Sequence, residues 1–225
     1  MNVKSRMTPD PITTTPDTSH SDALRIMRDN NIEQMPVLDK KGKLIGLISM
    51  TDLLSSAPSS ATSLSVYEIY TLLDKLKVKQ IMAKPVYAVD EETSLAGAAR
   101  FMFEKDLGSL PVIRGEELVG IITKSDIFKT FVEILAGDEP GCRIDLQVPD
   151  VTGILAKVAQ AFTDAGGDIK SMVTFQADDP SHGVLSFKEE GADEDKLRSL
   201  LGNISGVSIV EFRASGGDHL LEFGG

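Results

Sequence analysis

The chain has one cysteine, Cys142, so no internal disulfide can form, and an isolated cysteine at a strand start reads as a core residue. Long apolar runs are also missing. None approaches the roughly 20 residues that cross a bilayer, and the N-terminal MNVKSRMTPD lacks the apolar core of a secretion signal. These readings point to a reduced, cytoplasmic protein that stays off membranes. Cations are few: 23 Lys and Arg stand against 34 Asp and Glu, giving a net charge of -11 and a pI near 4.7. Such a chain repels nucleic-acid phosphate and anionic lipid. The three histidines, His20, His182 and His219, show no ligand spacing, so no metal site is expected. No GxxxxGK phosphate loop occurs, and no Ser or Cys has a plausible His partner, so catalysis is not expected either. What remains is a globular chain of 225 residues, 41% apolar. That suffices for real cores in one or two domains of about 100 to 200 residues each.

What the chain does have is a repeat. The stretch MPVLDKKGKLIGLISMTDLL, residues 35–54, is echoed by LPVIRGEELVGIITKSDIF, residues 110–128. Met27 and Met102 lie 75 positions apart, as do Pro36 and Pro111, so the copies match with almost no slippage. Each copy begins with a Met and a Pro, at Met7 and Met82, and a short extended run follows, Ile12–Thr14 or Val86–Val89. Next comes a helix. Asp17, Thr18 and Ser19, like Glu92, Thr93 and Ser94, offer caps, and Ala23, Leu24 and Met27, like Ala98, Ala99 and Met102, fall at helical spacing. Gln34–Leu38 and Leu44–Ser49 read as strands joined by the turn Asp39–Gly42, and a short helix closes the copy. The order per copy is strand, helix, strand, strand, helix. A unit of about 50 residues buries its sheet poorly alone, so the copies should pack on each other and enclose a cleft.

The strand-to-helix junctions SMTD (49–52) and TKSD (123–126) are the candidates to face that cleft. Ser49 and Thr123 supply hydroxyls, Asp52 and Asp126 carboxylates, and the following helix N-termini offer amide hydrogens to an anion. A phosphorylated sugar would suit them: the carboxylate accepts from a ribose diol while hydroxyl and amides meet phosphate. Met35, Pro36 and Val37, with Leu110, Pro111 and Val112, would then wall a flat base. The same residues also make ordinary helix caps, and spacing alone leaves both readings open.

These residues resemble a known family. GLISMTD (46–52) and GIITKSD (120–126), each after a Pro-Val strand, look like two CBS motifs forming a Bateman module over residues 1–137. The resemblance implies a pseudo-twofold pair, no catalysis, no required cofactor, frequent homodimers, and binding of AMP, ADP, ATP or S-adenosylmethionine as effector. By position, Asp52 and Asp126 would hold ribose hydroxyls. Ser49 and Thr123 would meet ribose or phosphate, and the backbone near Thr13, Val37, Tyr87 and Val112 would line the base. Lys124 puts a cation beside the second junction and Met50 none beside the first, which favours the site containing Asp126.

Between the copies, SSAPSSATSLSVYEIYTLLDKLK (55–77) begins as a Ser/Ala/Pro linker. It continues as an amphipathic helix with Val66, Ile69, Tyr70, Leu73 and Leu76 on one face, expected to cover the module. Beyond the turn-rich AGDEPG (136–141) the pattern changes. Strand Arg143–Val148, a helix with Ile154, Leu155, Val158, Ala159 and Phe162 on one face, strands Ile169–Gln176 and Val184–Lys188, a helix capped by Asp193 and ending at Gly202, and strand Val207–Phe212 give a ferredoxin-like βαββαβ layer. DVTGILA (150–156) and GGDI (166–169) make this segment resemble an ACT domain. That likeness implies pairing through sheets and a small effector, by position near Gly153, Ile154 and Asp168. The Asp168 carboxylate would repel a ligand carboxylate, and Gly153 also reads as plain turn geometry.

The expected division is 1–60 for the first CBS motif, 61–137 for the linker helix and second motif, 141–213 for the ACT domain and 214–225 for a tail. The fold class is α/β, two β-α-β-β-α copies and one βαββαβ layer. The order CBS, CBS, ACT resembles proteins of the acetoin-utilisation B type, which implies a regulator of a partner enzyme in carbon metabolism. The alternative is a module that only dimerises and recruits a partner.

Overall fold

The computed structural model describes residues 1–57, 65–137, 139–177, 179 and 181–214. The chain divides into two compact units, Met1–Phe128 and Lys129–Gly225. In chain order the first holds β1 (Thr8–Pro9), α1 (His20–Asp29), β2 (Gln34–Leu38), β3 (Leu44–Ser49), α2 (Met50–Ser56), α3 (Val66–Lys75), α4 (Val78–Ile81), β4 (Val89–Asp90), α5 (Leu95–Glu104), β5 (Ser109–Arg114) and β6 (Glu117–Thr123). Helix α6 (Lys124–Ile134) leads out of it.

Local chemistry accounts for these elements. The Ser19 and Ser94 hydroxyls accept from the amides of Asp22 and Gly97, both at 3.1 Å, and so start α1 and α5. Asn31 and Asp106 follow these helices at positive φ, a region in which Asn and Asp are tolerated. The β2–β3 turn is closed by Asp39, whose Oδ1 accepts from the amides of Lys41 and Lys43 at 2.8 and 2.9 Å. The extended runs expected at Ile12–Thr14 and Val86–Val89 are shorter than the sequence suggests. Thr14 makes one parallel bridge to Val37, and β4 pairs parallel with β5 over two residues. Pro11, Pro16 and Pro85 flank these runs and cannot donate to a ladder.

Each copy's lead-in segment packs on the other copy. Val3 is fully buried in the copy 2 core, and β1 pairs antiparallel with β6. Conversely, Val78 and Met82 complete the copy 1 core, and the Ala83 amide donates to Leu47 O at 2.8 Å. Each lead-in thus precedes one copy in the chain and packs on the other. Two strand glycines make room. A Cβ on Gly46 would lie 2.5 Å from Met82 Sδ, and one on Gly120 2.4 Å from Met7 Sδ. Helix α3 packs against α1, covering copy 1, while residues 58–64 of the expected linker lie outside the described residues.

The second unit holds β7 (Cys142–Pro149), α7 (Ile154–Asp164), β8 (Asp168–Gln176), β9 (His182–Glu190), α8 (Glu194–Gly202) and β10 (Ser208–Arg213). Its antiparallel sheet runs β10-β7-β9-β8. One face buries Ile144, Leu146, Val148, Leu185 and Phe187 under Val158, Phe162, Leu197 and Leu201 of the helices. The Phe162 and Phe187 rings meet at 4.7 Å. Residues 215–225, most of the expected tail, lie outside the described residues. Among the described residues no helix is long and apolar enough to cross a membrane.

Candidate functional site

Both junctions form the same device. At the first, Asp52 Oδ2 accepts from the Ser49 amide at 2.9 Å and its hydroxyl at 2.6 Å, while Ser49 Oγ accepts from the Asp52 amide at 3.1 Å. At the second, Asp126 Oδ2 accepts from the Thr123 amide at 2.8 Å and its hydroxyl at 2.7 Å, and Thr123 Oγ1 accepts from the Asp126 amide at 3.2 Å. These are reciprocal helix caps, the plainer of the two readings of the sequence. Capping engages Oδ2 of each carboxylate, and all four residues are only half-buried.

Much of the amide supply expected for a phosphate is already spent. The Met50 amide donates to Glu33 O at 2.7 Å and the Lys124 amide to Gly108 O at 3.0 Å, while the Asp52 and Asp126 amides serve the caps. Lys124 stays exposed and pairs loosely with Asp106 at 3.4 Å, a contact that solvent weakens.

The apolar walls are corrected by burial. Met35, Val37, Leu110 and Val112 have no exposed surface, and Pro36 and Pro111 are buried too. Met35 and Val37 of β2, and Leu110 and Val112 of β5, face their own copy's core, so these four side chains hold the fold together and are withheld from a ligand. Thr13 is half-buried and Tyr87 exposed, so both remain available. The Tyr87 ring meets Phe101 edge-on at 5.5 Å, beside an open concavity of about 430 Å³ lined by β4 and α5.

One polar contact joining the junctions was not read from the sequence. In the antiparallel pairs Gln34 lies opposite Ser49 and Ser109 opposite Thr123, so each shares a face with its junction hydroxyl. The Ser109 hydroxyl donates to Gln34 Oε1 across the pair. The two junctions thus stand on either side of a single hydrogen bond. The available signal was a polar residue two places before each strand's proline, at positions 34 and 109.

In the second unit Gly153 caps α7 at φ 87°, where a glycine is favoured; turn geometry explains it fully. Ile154 packs against the core, and exposed Asp168 pairs with Lys170 at 2.9 Å, which offsets the repulsion expected of it. Gly153 and Asp168 sit beyond opposite ends of α7, a helix about 16 Å long at 1.5 Å per residue, so one unit does not unite the expected effector residues.

Two paired β-α-β-β-α copies with matching hydroxyl–carboxylate junctions, followed by a ferredoxin-like unit, define a tandem-repeat module with an appended α/β domain. Residues 3–59 and 78–133 match the CBS domain family and residues 143–205 the ACT domain family; the chain belongs to the CBS domain family and carries a C-terminal ACT domain. Solved structures similar to this chain include three described by their ligands or role. A Vibrio cholerae protein provisionally designated AcuB, for acetoin utilization, is 29% identical with a TM-score of 0.51, covering 62% of this chain and 96% of that one. CBSX2, a protein of Arabidopsis thaliana, solved in complex with AMP, is 28% identical with a TM-score of 0.51 over 59% of this chain and 97% of that one. The CBS pair of protein MJ0100, in complex with 5-methylthioadenosine and S-adenosylmethionine, is 25% identical with a TM-score of 0.50 over 62% and 98%. Some curated relatives are much longer: the chain spans 32% of a Methanocaldococcus jannaschii protein that is 33% identical over 136 residues.

Proposed function

We propose that this is a non-catalytic regulatory protein that senses an adenine nucleotide or S-adenosylmethionine at the CBS pair. A second small effector acts at the ACT domain. The observation that carries the reading is the duplicated half-buried hydroxyl–carboxylate device, its halves joined by the Gln34–Ser109 bond. The AMP bound by CBSX2 and the adenosine compounds bound by MJ0100 support it. Each carboxylate holds its helix cap through Oδ2, and in this reading the carboxylates accept from a ribose diol. Lys124 adds a charge for phosphate, so Asp126 with Thr123 is the preferred site and Asp52 with Ser49 the second. Thr13 and Tyr87, with the backbone near Val37 and Val112, are the base contacts of this reading. The likeness to a protein designated for acetoin utilization supports control of a partner enzyme of carbon metabolism, and the reading includes a cytoplasmic homodimer.

Calorimetry with AMP, ATP and S-adenosylmethionine tests the proposal. Asp126→Asn keeps an oxygen for the cap but loses the charged acceptor, so affinity should fall about 10- to 100-fold, as for a lost hydrogen bond to a charged group. No heat from the wild type with any of the three compounds overturns the reading.

A module that only dimerises and recruits a partner is favoured by one observation. Phe103 and Phe128 are 87% and 67% exposed, large apolar side chains on helices of the pair. Capture of the same partner with and without nucleotide would favour this second reading.

A further inference from the structure

The two copies can be compared position by position, and at two sites buried in copy 1 a polar residue stands where copy 2 has an apolar one. Copy 1 holds Thr14 and His20 where copy 2, 75 positions on, holds Val89 and Leu95. Thr14 is 5% exposed, His20 2% and Leu95 7%. The neighbouring pairs Ala23/Ala98 and Met27/Met102 are apolar in both copies. Burying a polar group without a hydrogen bond costs stability, yet Thr14 Oγ1 and His20 Nδ1 have no hydrogen-bond partner among the described residues. A rule that one copy keeps and the other breaks twice points to a task particular to copy 1.

The other ring nitrogen indicates the task. His20 Nε2 lies 2.8 Å from the Leu53 carbonyl oxygen; a carbonyl only accepts, so Nε2 carries the proton. Leu53 belongs to α2, the helix opened by Ser49 and Asp52. This helix ends at Ser56, and the next amide, Ala57, turns back to Leu54 O. The Leu53 carbonyl accepts instead from the Ser56 hydroxyl, at 2.8 Å, and from His20. In copy 2 the equivalent Ile127 lies early in α6, which runs on to Ile134, so its carbonyl is satisfied within the helix and Leu95 suffices. The His20 amide also donates to Leu76 O, just past α3, at 2.8 Å.

We infer that His20 is a positioning residue for the first junction: it locks the short helix α2, and with it the Ser49–Asp52 cap, against α1 and the end of α3. Its effect on ligand binding rests on the nucleotide-sensing reading; its effect on α2 does not. Three variants separate the roles. His20→Leu installs the side chain of copy 2, His20→Gln keeps a donor that reaches Leu53, and His20→Asn is polar but too short.

Hydrogen exchange of the ligand-free protein is the first measurement. Exchange of the α2 amides should rise about fivefold in His20→Leu and His20→Asn, the factor set by one ordinary hydrogen bond, and stay near wild type in His20→Gln. Exchange in α5 of copy 2 should not change. On an Asp126→Asn background, AMP affinity at the Asp52 junction should fall in the first two variants and recover in His20→Gln. Unchanged α2 exchange in both His20→Leu and His20→Asn, or damage in His20→Gln equal to theirs, overturns the inference. Absence of wild-type binding to AMP, ATP and S-adenosylmethionine alike would instead defeat the nucleotide reading, and exchange would still decide the role of His20.

Discussion

Glu91 is 6% exposed, and the Arg114 guanidinium grips it through two nitrogens, with Nη2 at 2.9 Å; Lys4 stands 3.7 Å away. The hydrogen bond from Arg114 holds the Glu91 carboxyl below its ordinary value of 4.5. A carboxylate with a lowered folded-state pKa stabilises fully above the unfolded value and loses that contribution as pH falls through the folded one. Unfolding followed from pH 7 into acid should therefore show a steeper loss of stability below about 4.5 in the wild type than in Glu91→Gln. Equal acid slopes would show that the cluster adds nothing. This ion pair was not legible beforehand because Lys4, Glu91 and Arg114 are far apart in the chain. The junction carboxylates were legible, because a hydroxyl three places before an aspartate is a local capping pattern. Met35, Val37, Leu110 and Val112 were misplaced for a related reason: alternation shows which residues share a strand face, not whether that face meets core or ligand.

Among the elements, β3 and β6 each carry a glycine under a methionine that arrives from the other copy's lead-in. On Gly46 a Cβ would press only on the Met82 side chain, whereas on Gly120 it would also come within 3.1 Å of the Thr8 carbonyl. A methionine can shift and a paired strand's backbone cannot, so Gly120→Ala should cost about 1–3 kcal/mol, the usual range for overpacking, and Gly46→Ala less. Chemical denaturation of both variants checks the order, and equal losses would contradict it. Deleting residues 1–9 should open β6 to hydrogen exchange while leaving β2 and β3 protected, since Val3 and β1 belong to the copy 2 sheet and core. The boundaries of β2 and β3 were readable from alternation around a polar turn. The exchange of lead-in segments was not, because no residue within a copy encodes which open sheet edge a distant segment will fill.

For the whole molecule, the two units have separate cores, and the ACT domain buries its own Phe162, Phe187 and Leu197. A fragment of residues 129–225 should fold alone and give a dispersed amide spectrum; a collapsed spectrum would show that its core needs the CBS pair. The sequence by itself determined the repeat, the order of strands and helices, the caps at Ser49 and Thr123, and the ferredoxin-like layer. Each of these follows from periodicity and hydrogen bonds among residues a few places apart. Only the tertiary structure decided that the lead-ins cross over, that Gln34 meets Ser109 between the junctions, and that His20 reaches Leu53. Those contacts join residues 33 or more positions apart, and they form only where packing leaves an edge, a gap or an unmet carbonyl to receive them.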